Sequence, residues 1–255
     1  MLTLMKQEYY KAFKQNKLYI WLALSFVFPI AIMAIFKTQR TADAVLNFGQ
    51  GTIYIVMAGI IFTAISVSQE FGFGTIRPLL SRRFSRGAIF TSKLLLNLTV
   101  YIGLFISAFV GTMIGQLLFV KKFNFADKAG YVGNGWQSMG TTVLTTLLEM
   151  FFIAALVLII TNLVKSSGAA IGLGVVMIVG TPILSSISSV LINMAPILKW
   201  NPFNIFLGIG MYNQLPHQEF KHIVHMSESN VIMAYVGYII VMYGISYLIF
   251  RKRSV

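Results

Sequence analysis

The sequence predicts an all-α, polytopic membrane protein with six transmembrane helices. Three observations carry that prediction. Of its 255 residues, 57% are hydrophobic and only 11% are charged, whereas a soluble domain is about 45–50% apolar and about 25% charged. The mean hydropathy is +0.78. Apolar stretches recur along the chain at the length of about 20 residues that a helix needs to cross a bilayer core. This composition excludes a soluble enzyme and a disordered tail. The weak, alternating ten-residue segments of a membrane β-barrel are absent. With no cysteine, disulfides, thiol nucleophiles and Cys-ligated metal sites are excluded too.

Residues 1–255 read as one transmembrane domain. In residues 1–17, Leu2, Met5, Tyr9 and Phe13 fall on one helical stripe. Lys6, Lys14 and Lys17 flank it and Lys11 lies opposite, the pattern of an interfacial helix lying on the membrane. The first span is 18–36, uncharged, with Pro29 as an expected kink. It is too long for a signal-peptide core, and no small-residue cleavage site follows it. The second span is about 48–68, and the loop 69–93 follows. Spans three, four and five are about 94–120, 141–164 and 168–193, the last with Pro182 as a second expected kink. A long loop, 194–230, precedes the last span, 231–250. Gly111 with Gly115, and Gly168 with Gly172, have the four-residue spacing that permits close helix packing.

Lys and Arg in the loops orient the spans. The termini, the loop 69–93 and Lys165 together carry 13 of the 20 basic residues, and the opposite loops carry seven. The richer side is expected to face the cytoplasm, with both termini on it. Counting acids, the inner face carries +11 and the outer +3, while Glu149 lies within a span. The overall +13 would point to nucleic acid in a soluble protein. Here it reads as topology plus attraction to anionic lipid, about 1 kcal/mol for each basic residue near the surface. No nucleic-acid partner is expected.

The loop 69–93, QEFGFGTIRPLLSRRFSRGAIFTSK, departs from that pattern. Arg77, Arg82, Arg83, Arg86 and Lys93 are interleaved with Leu79, Leu80, Phe84, Ile89 and Phe90. A solvated linker does not need that apolar complement, but a short surface helix does. Thr75 is a suitable N-cap, and Pro78 is tolerable in a first turn.

The series Glu70, Gly74-Thr75-Ile76-Arg77, Leu79-Leu80-Ser81, Ser85-Arg86 and Lys93 resembles the permease subunit of ABC type-2 exporters. Pro78 departs from it, standing where that family usually has an aliphatic residue. The residue match covers about 25 positions in the cytoplasmic loop, with six spans and inward termini in agreement. The resemblance implies that Glu70, Gly74, Thr75, Arg77, Leu79, Leu80, Ser81, Arg82, Arg83, Ser85 and Arg86 belong to a coupling helix docked on a cytoplasmic ATPase. It also implies an N-terminal elbow helix, a second permease subunit (the same or paralogous), and an outer lid between spans five and six. That lid would involve Trp200, Pro202, Phe203 and Phe206. Within the family, the residue style is closest to permeases exporting amphipathic peptide toxins such as phenol-soluble modulins. The chain has no P-loop, so ATP and Mg would be bound by the partner, and this subunit would not itself be an enzyme.

Glu149 is the only acidic residue within a span. It lies roughly 12 Å below the outer end of span four, at a depth where charge is expensive and must face protein or water. Ser138, Thr142 and Thr145 share its stripe, and Ser185, Ser186, Ser188 and Ser189 give span five a polar outer part. Two readings stay open. In one, Glu149, Thr142, Thr145, Ser185 and Ser186 line a wet vestibule in a translocation path. In the other, Glu149 is an interhelical hydrogen-bond clamp. In the loop 194–230, Pro202, Gly208 and Gly210 are expected to break re-entrant or interfacial segments. His217, His222 and His225 form no convincing metal set, since His222 and His225 are an i, i+3 pair without a third ligand. The function expected is export of an amphipathic peptide or drug across the plasma membrane. The alternatives are a lipid or ion exporter of the same family and an ion-coupled transporter working through Glu149.

Overall fold

The computed structural model describes residues 2–14, 16–72, 84–131, 133–164, 167–212 and 214–252. Apart from a two-stranded hairpin it is helical. In order these are α1 (Leu2–Lys14), α2 (Lys17–Ile35), α3 (Ala42–Leu46), α4 (Thr52–Gly72) and α5 (Arg86–Phe119). The hairpin β1 (Lys128–Ala129) and β2 (Gly133–Asn134) follows, then α6 (Gly135–Val164) and α7 (Ser167–Met194). Last come α8 (Pro202–Met211), α9 (His217–Val224) and α10 (Glu228–Lys252). Among the described residues five helices, α2, α4, α5, α6 and α10, are long and apolar enough to cross a membrane. The 28-residue α7 contains no Asp, Glu, Lys or Arg.

Several boundaries differ from those read in the sequence, each for a local reason. The second span does not begin at Phe48. Phe48, Gly49 and Gln50 are three consecutive left-handed residues, with φ of 54°, 63° and 62°, and α4 starts only at Thr52. The turn is held by a buried Phe48 packed edge-on against Phe105. It also passes so close to α2 that a Cβ on Gly49 would stand 2.8 Å from the Pro29 Cα. The third span reaches back to Arg86, because Ser85 caps it by accepting a hydrogen bond from the Ala88 amide at 3.1 Å. The loop 194–230 is mostly helical. Asn201 caps α8 by accepting from the Phe203 and Asn204 amides, both at 3.0 Å, and Pro202 occupies its first turn. Gly208 and Gly210 therefore lie inside α8 and do not break it.

The helix α6 is the centre of the bundle, packed against α4, α7, α8 and α10. The longest helix, α5, lies along α2 and also meets α1, α4 and α10. The α2–α5 packing is close at Gly111, where a Cβ would penetrate the Phe26 carbonyl and stand 2.9 Å from its carbon. At Gly115 it would stand 2.9 Å from the Met33 sulfur. In α7 the close approach is at Gly174, against Ile60 and Val157, and not at Gly172, where a Cβ would meet nothing among the described residues.

At the end of the bundle that holds both termini, Leu4, Val67, Ile89, Phe90, Leu158 and Phe250 form one buried cluster. The face of α1 buried there is Leu4, Glu8 and Ala12, about a quarter-turn from the stripe Leu2, Met5, Tyr9 and Phe13. Protein covers one face of α1, and Phe13 on the other is 47% exposed.

The Gly111 contact gives a test. Gly111→Ala should destabilise the protein in detergent by about 1–3 kcal/mol, the range for overpacking. Gly103→Ala, whose Cβ would meet Leu22 at an ordinary 3.6 Å, should be neutral or stabilising, because alanine is the better helix former. Thermal unfolding of the two variants side by side measures the difference.

Candidate functional site: a polar cavity inside the bundle

A cavity of 710 Å³ opens among α3, α4, α6, α8 and the hairpin turn. Its deep wall is one stripe of α6, formed by Ser138, Thr142, Thr145, Thr146, Glu149 and Ile153. Spacings of three and four residues keep these on one side of a helix. Opposite stand Thr52, Ile53 and Val56 of α4, and Phe206 and Gly210 of α8. Asp43, Asn47 and Gln50 form the rim. Ser138 also ties the hairpin to α6, its hydroxyl donating to the Ala129 carbonyl.

Glu149 faces this cavity, and Gly210 makes room for it: a Cβ on Gly210 would stand 2.9 Å from the Glu149 Oε1. Among the described residues no hydrogen bond or ion pair reaches the Glu149 carboxylate. The buried Tyr235, packed below it, donates instead to the Leu148 carbonyl at 3.1 Å. Thr145, one turn above, donates to the Thr141 carbonyl at 3.0 Å. The interhelical clamp expected as one of the two readings is therefore not formed among the described residues.

The rim is locally wired. Asn47 Nδ2 donates to the Asp43 carboxylate at 2.9 Å and to the Asp43 carbonyl at 3.1 Å. Gln50 Nε2 donates to the second Asp43 carboxylate oxygen at 3.4 Å. Arg40, close in sequence, turns away and caps α2 by donating to the Met33 and Ala34 carbonyls at 2.8 and 2.9 Å.

A second, apolar groove of 390 Å³ lies at the same level of α6, lined by Leu94, Leu148, Phe151, Val236, Ile239 and Tyr243. Leu148 and Phe151 face the groove, and Glu149 and Ile153 face the cavity. Phe152 lies between them on the helix, with its ring 5.4 Å from Tyr235 and 5.5 Å from Phe206. Composition gives no hint of this aromatic layer or of the rim residues, because neither forms a run or a motif. The i, i+3, i+7 polar stripe of α6 is the one signal that points to the site.

Other expected site residues are placed differently. Ser186 is exposed and does not line the cavity. Among the described serine side chains of α7 the buried one is Ser188, which accepts from Asn201 Nδ2 at 2.7 Å and so fastens α7 to the start of α8. The side chain of Ser185 lies outside the described residues. Of the expected lid, Phe206 lines the cavity. Pro202 starts α8, Phe203 is half-buried, and Trp200 is 45% exposed with its carbonyl accepting from the Tyr238 hydroxyl at 2.8 Å. His217 is paired with Glu228, and no cluster of potential metal ligands occurs among the described residues.

Gly74, Thr75, Arg77, Leu79, Leu80, Ser81, Arg82 and Arg83 lie outside the described residues, as does the Glu70 side chain. Arg86 does not extend into solvent as expected for a docking face. It donates to the Phe250 and Arg251 carbonyls at 3.3 and 2.9 Å, where a cation complements the end of α10. Lys93, which closes the motif, is buried at 1% exposure. Its Nζ donates to the Glu8 carboxylate at 3.0 Å and to the Ser66 carbonyl at 2.8 Å. Glu8 also accepts from Lys11 at 3.3 Å. One buried ion pair thus joins α1 to α5, and its lysine also bonds the backbone of α4.

Breaking a buried pair strands a charge and costs about 3–5 kcal/mol, whereas replacing both partners with apolar residues is often neutral. Lys93→Met alone should therefore destabilise strongly, and Glu8→Leu with Lys93→Met should recover most of the loss. A double-mutant cycle on thermal unfolding in detergent measures the coupling.

The family described as "Protein of unknown function (DUF2705)" matches residues 3–255. The chain belongs to that family. No curated protein matches the chain at a significant level.

Proposed function

We propose that this member of the DUF2705 family is the permease subunit of an exporter, carrying an amphipathic molecule and driven by a separate ATPase. One observation supports the reading above the others. A cavity large enough for a drug-sized group, 710 Å³, enters a bundle of membrane-length helices beside an apolar groove. Ligand pockets typically span about 300–1,000 Å³. The two openings share one helix and are separated by a layer of aromatic side chains. An amphipathic molecule has a polar part for one and an apolar part for the other.

In this reading α7 is the sixth crossing and α1 lies along the inner leaflet of the plasma membrane, with its exposed stripe toward lipid. Both termini face the cytoplasm and the cavity faces out. Two such subunits pair above two ATPase subunits, and the loop 69–93 docks on the motor. Closure of the ATPases would press on that loop. The Lys93–Glu8 pair would pass the movement among α1, α4 and α5, and the aromatic layer would part. The loop resemblance supports the motor, and the cavity supports the path.

Purification from native membranes in mild detergent is expected to recover an ATPase subunit with this chain. Arg82→Glu with Arg83→Glu should abolish that association while the protein still inserts. Arg86→Glu should lower thermal stability instead, because Arg86 caps α10. Unchanged ATPase recovery with the double variant would overturn the docking assignment. A second reading, an ion-coupled transporter, is favoured by the lone intramembrane carboxylate. It requires transport by proteoliposomes lacking any ATPase, and collapse of that transport with the proton gradient.

A further inference from the structure

The permease reading leaves the transported molecule undefined, and the lining of the cavity defines it further. We propose that the cavity receives a cationic group, an ammonium or guanidinium on an amphipathic molecule, with Glu149 as its counter-charge. This deepens the proposed function and rests on it.

Charge is the first argument. The chain has 20 basic and seven acidic residues, yet two of the seven, Asp43 and Glu149, line this one cavity and, among the described residues, no Lys, Arg or His does. The local sign is opposite to that of the whole molecule. Arg40, the basic residue closest in sequence to the rim, is used as a cap on α2.

Hydrogen-bonding capacity is the second. Asn47 directs its amide nitrogen to Asp43 twice, and Gln50 directs its own there once. Their carbonyl oxygens are left as acceptors. Thr145 donates to its own helix and presents oxygen. These three residues therefore offer acceptors, and an ammonium or guanidinium is all donor.

The third argument is the state of Glu149. Asp43 already has two side-chain donors, whereas Glu149 has no partner among the described residues, and Gly210 leaves its carboxylate a clear approach to the cavity. A carboxylate at membrane depth is stabilised by an opposite charge, and the attraction is stronger there than in bulk water. Size argues against a bare ion. The cavity, at 710 Å³, exceeds by more than tenfold the roughly 30 Å³ of a water molecule. The floor residues Ile153 and Phe206 are apolar and suit the carbon next to a charged head, with Phe206 also able to supply a ring face to a cation.

The test uses the full chain in phosphatidylcholine nanodiscs, with empty discs subtracted. Three fluorescent amphiphiles share one dodecyl tail and carry an ammonium, a hydroxyl or a sulfonate head. The ammonium probe is expected to bind about tenfold more tightly than the other two, the scale of one charge-assisted contact. Glu149→Gln should bring it level with the hydroxyl probe. Asp43→Asn should reduce the preference in part, and Gly210→Ala should reduce it without changing any charge. Asp127→Asn, exposed and outside the cavity, should change nothing. Equal binding of the three heads, or a preference that survives Glu149→Gln, would overturn the proposal. So would displacement of the ammonium probe by sodium but not by N-methylglucamine at equal ionic strength, which would mark a bare-cation site. Because the assay contains no ATPase, the two claims fail separately. A chain that binds the ammonium probe but recovers no ATPase defeats the motor. A chain that recovers its ATPase but binds all heads alike defeats the cation site.

Discussion

A charged side chain among membrane helices can be stabilised in two ways, by an opposite charge or by water. Insertion scales put the cost of leaving it with neither at about 2.5–3.5 kcal/mol at the bilayer centre. This chain uses both solutions in one bundle. At the end holding the termini, Lys93 and Glu8 are nearly inaccessible and are bonded to each other. Midway along α6, Glu149 has no such partner among the described residues and opens on a cavity. The first solution ties α1 to the bundle. The second requires that the bundle not close around α6.

The rest of the architecture follows from α6 having to satisfy several neighbours. Its face toward α4 and α8 carries hydroxyls and a carboxylate, so α8 must come close without filling the space, and Gly210 permits that. An adjacent face carries Leu148 and Phe151 and borders an apolar groove. Phe152, between the two, packs on Phe206 and Tyr235. Polar and apolar openings thus lie side by side, separated by rings of which Phe152 and Phe206 can shift without breaking side-chain hydrogen bonds. The one polar bond in that layer, from Tyr235 to the Leu148 carbonyl, holds a helix backbone and not another side chain.

The membrane class was legible in the sequence because it rests on composition and on run length, which do not depend on tertiary contacts. The stripe Ser138, Thr142, Thr145 and Glu149 was legible for a related reason, since helical periodicity survives in a linear reading. The burial of Glu8 was not. Amphipathicity predicts an apolar stripe on α1 at Leu2, Met5, Tyr9 and Phe13, but the buried face carries Glu8, paired with Lys93, 85 residues away. The rim was hidden too, since Asp43 and Asn47 sit in α3 and its C-cap and Gln50 in the left-handed turn that the hydropathy of 48–68 conceals. Among the described serine side chains of α7 the buried one is Ser188, and the Asn201 cap of α8 engages it. The Glu8–Lys93 contact is a long-range pairing, which local pattern does not encode.

The central claim is that the polar stripe of α6 borders water reaching in from outside the cell. The chain contains no cysteine, so single cysteines can be placed without background. In intact cells, Thr145→Cys should react with a membrane-impermeant maleimide added outside. Leu144→Cys, next in sequence but on the outward surface of the bundle at 65% exposure, should not react, because lipid neither admits the reagent nor supports a thiolate. Labelling of Leu144→Cys with Thr145→Cys protected, or labelling of Thr145→Cys only after the membrane is opened, would contradict the account.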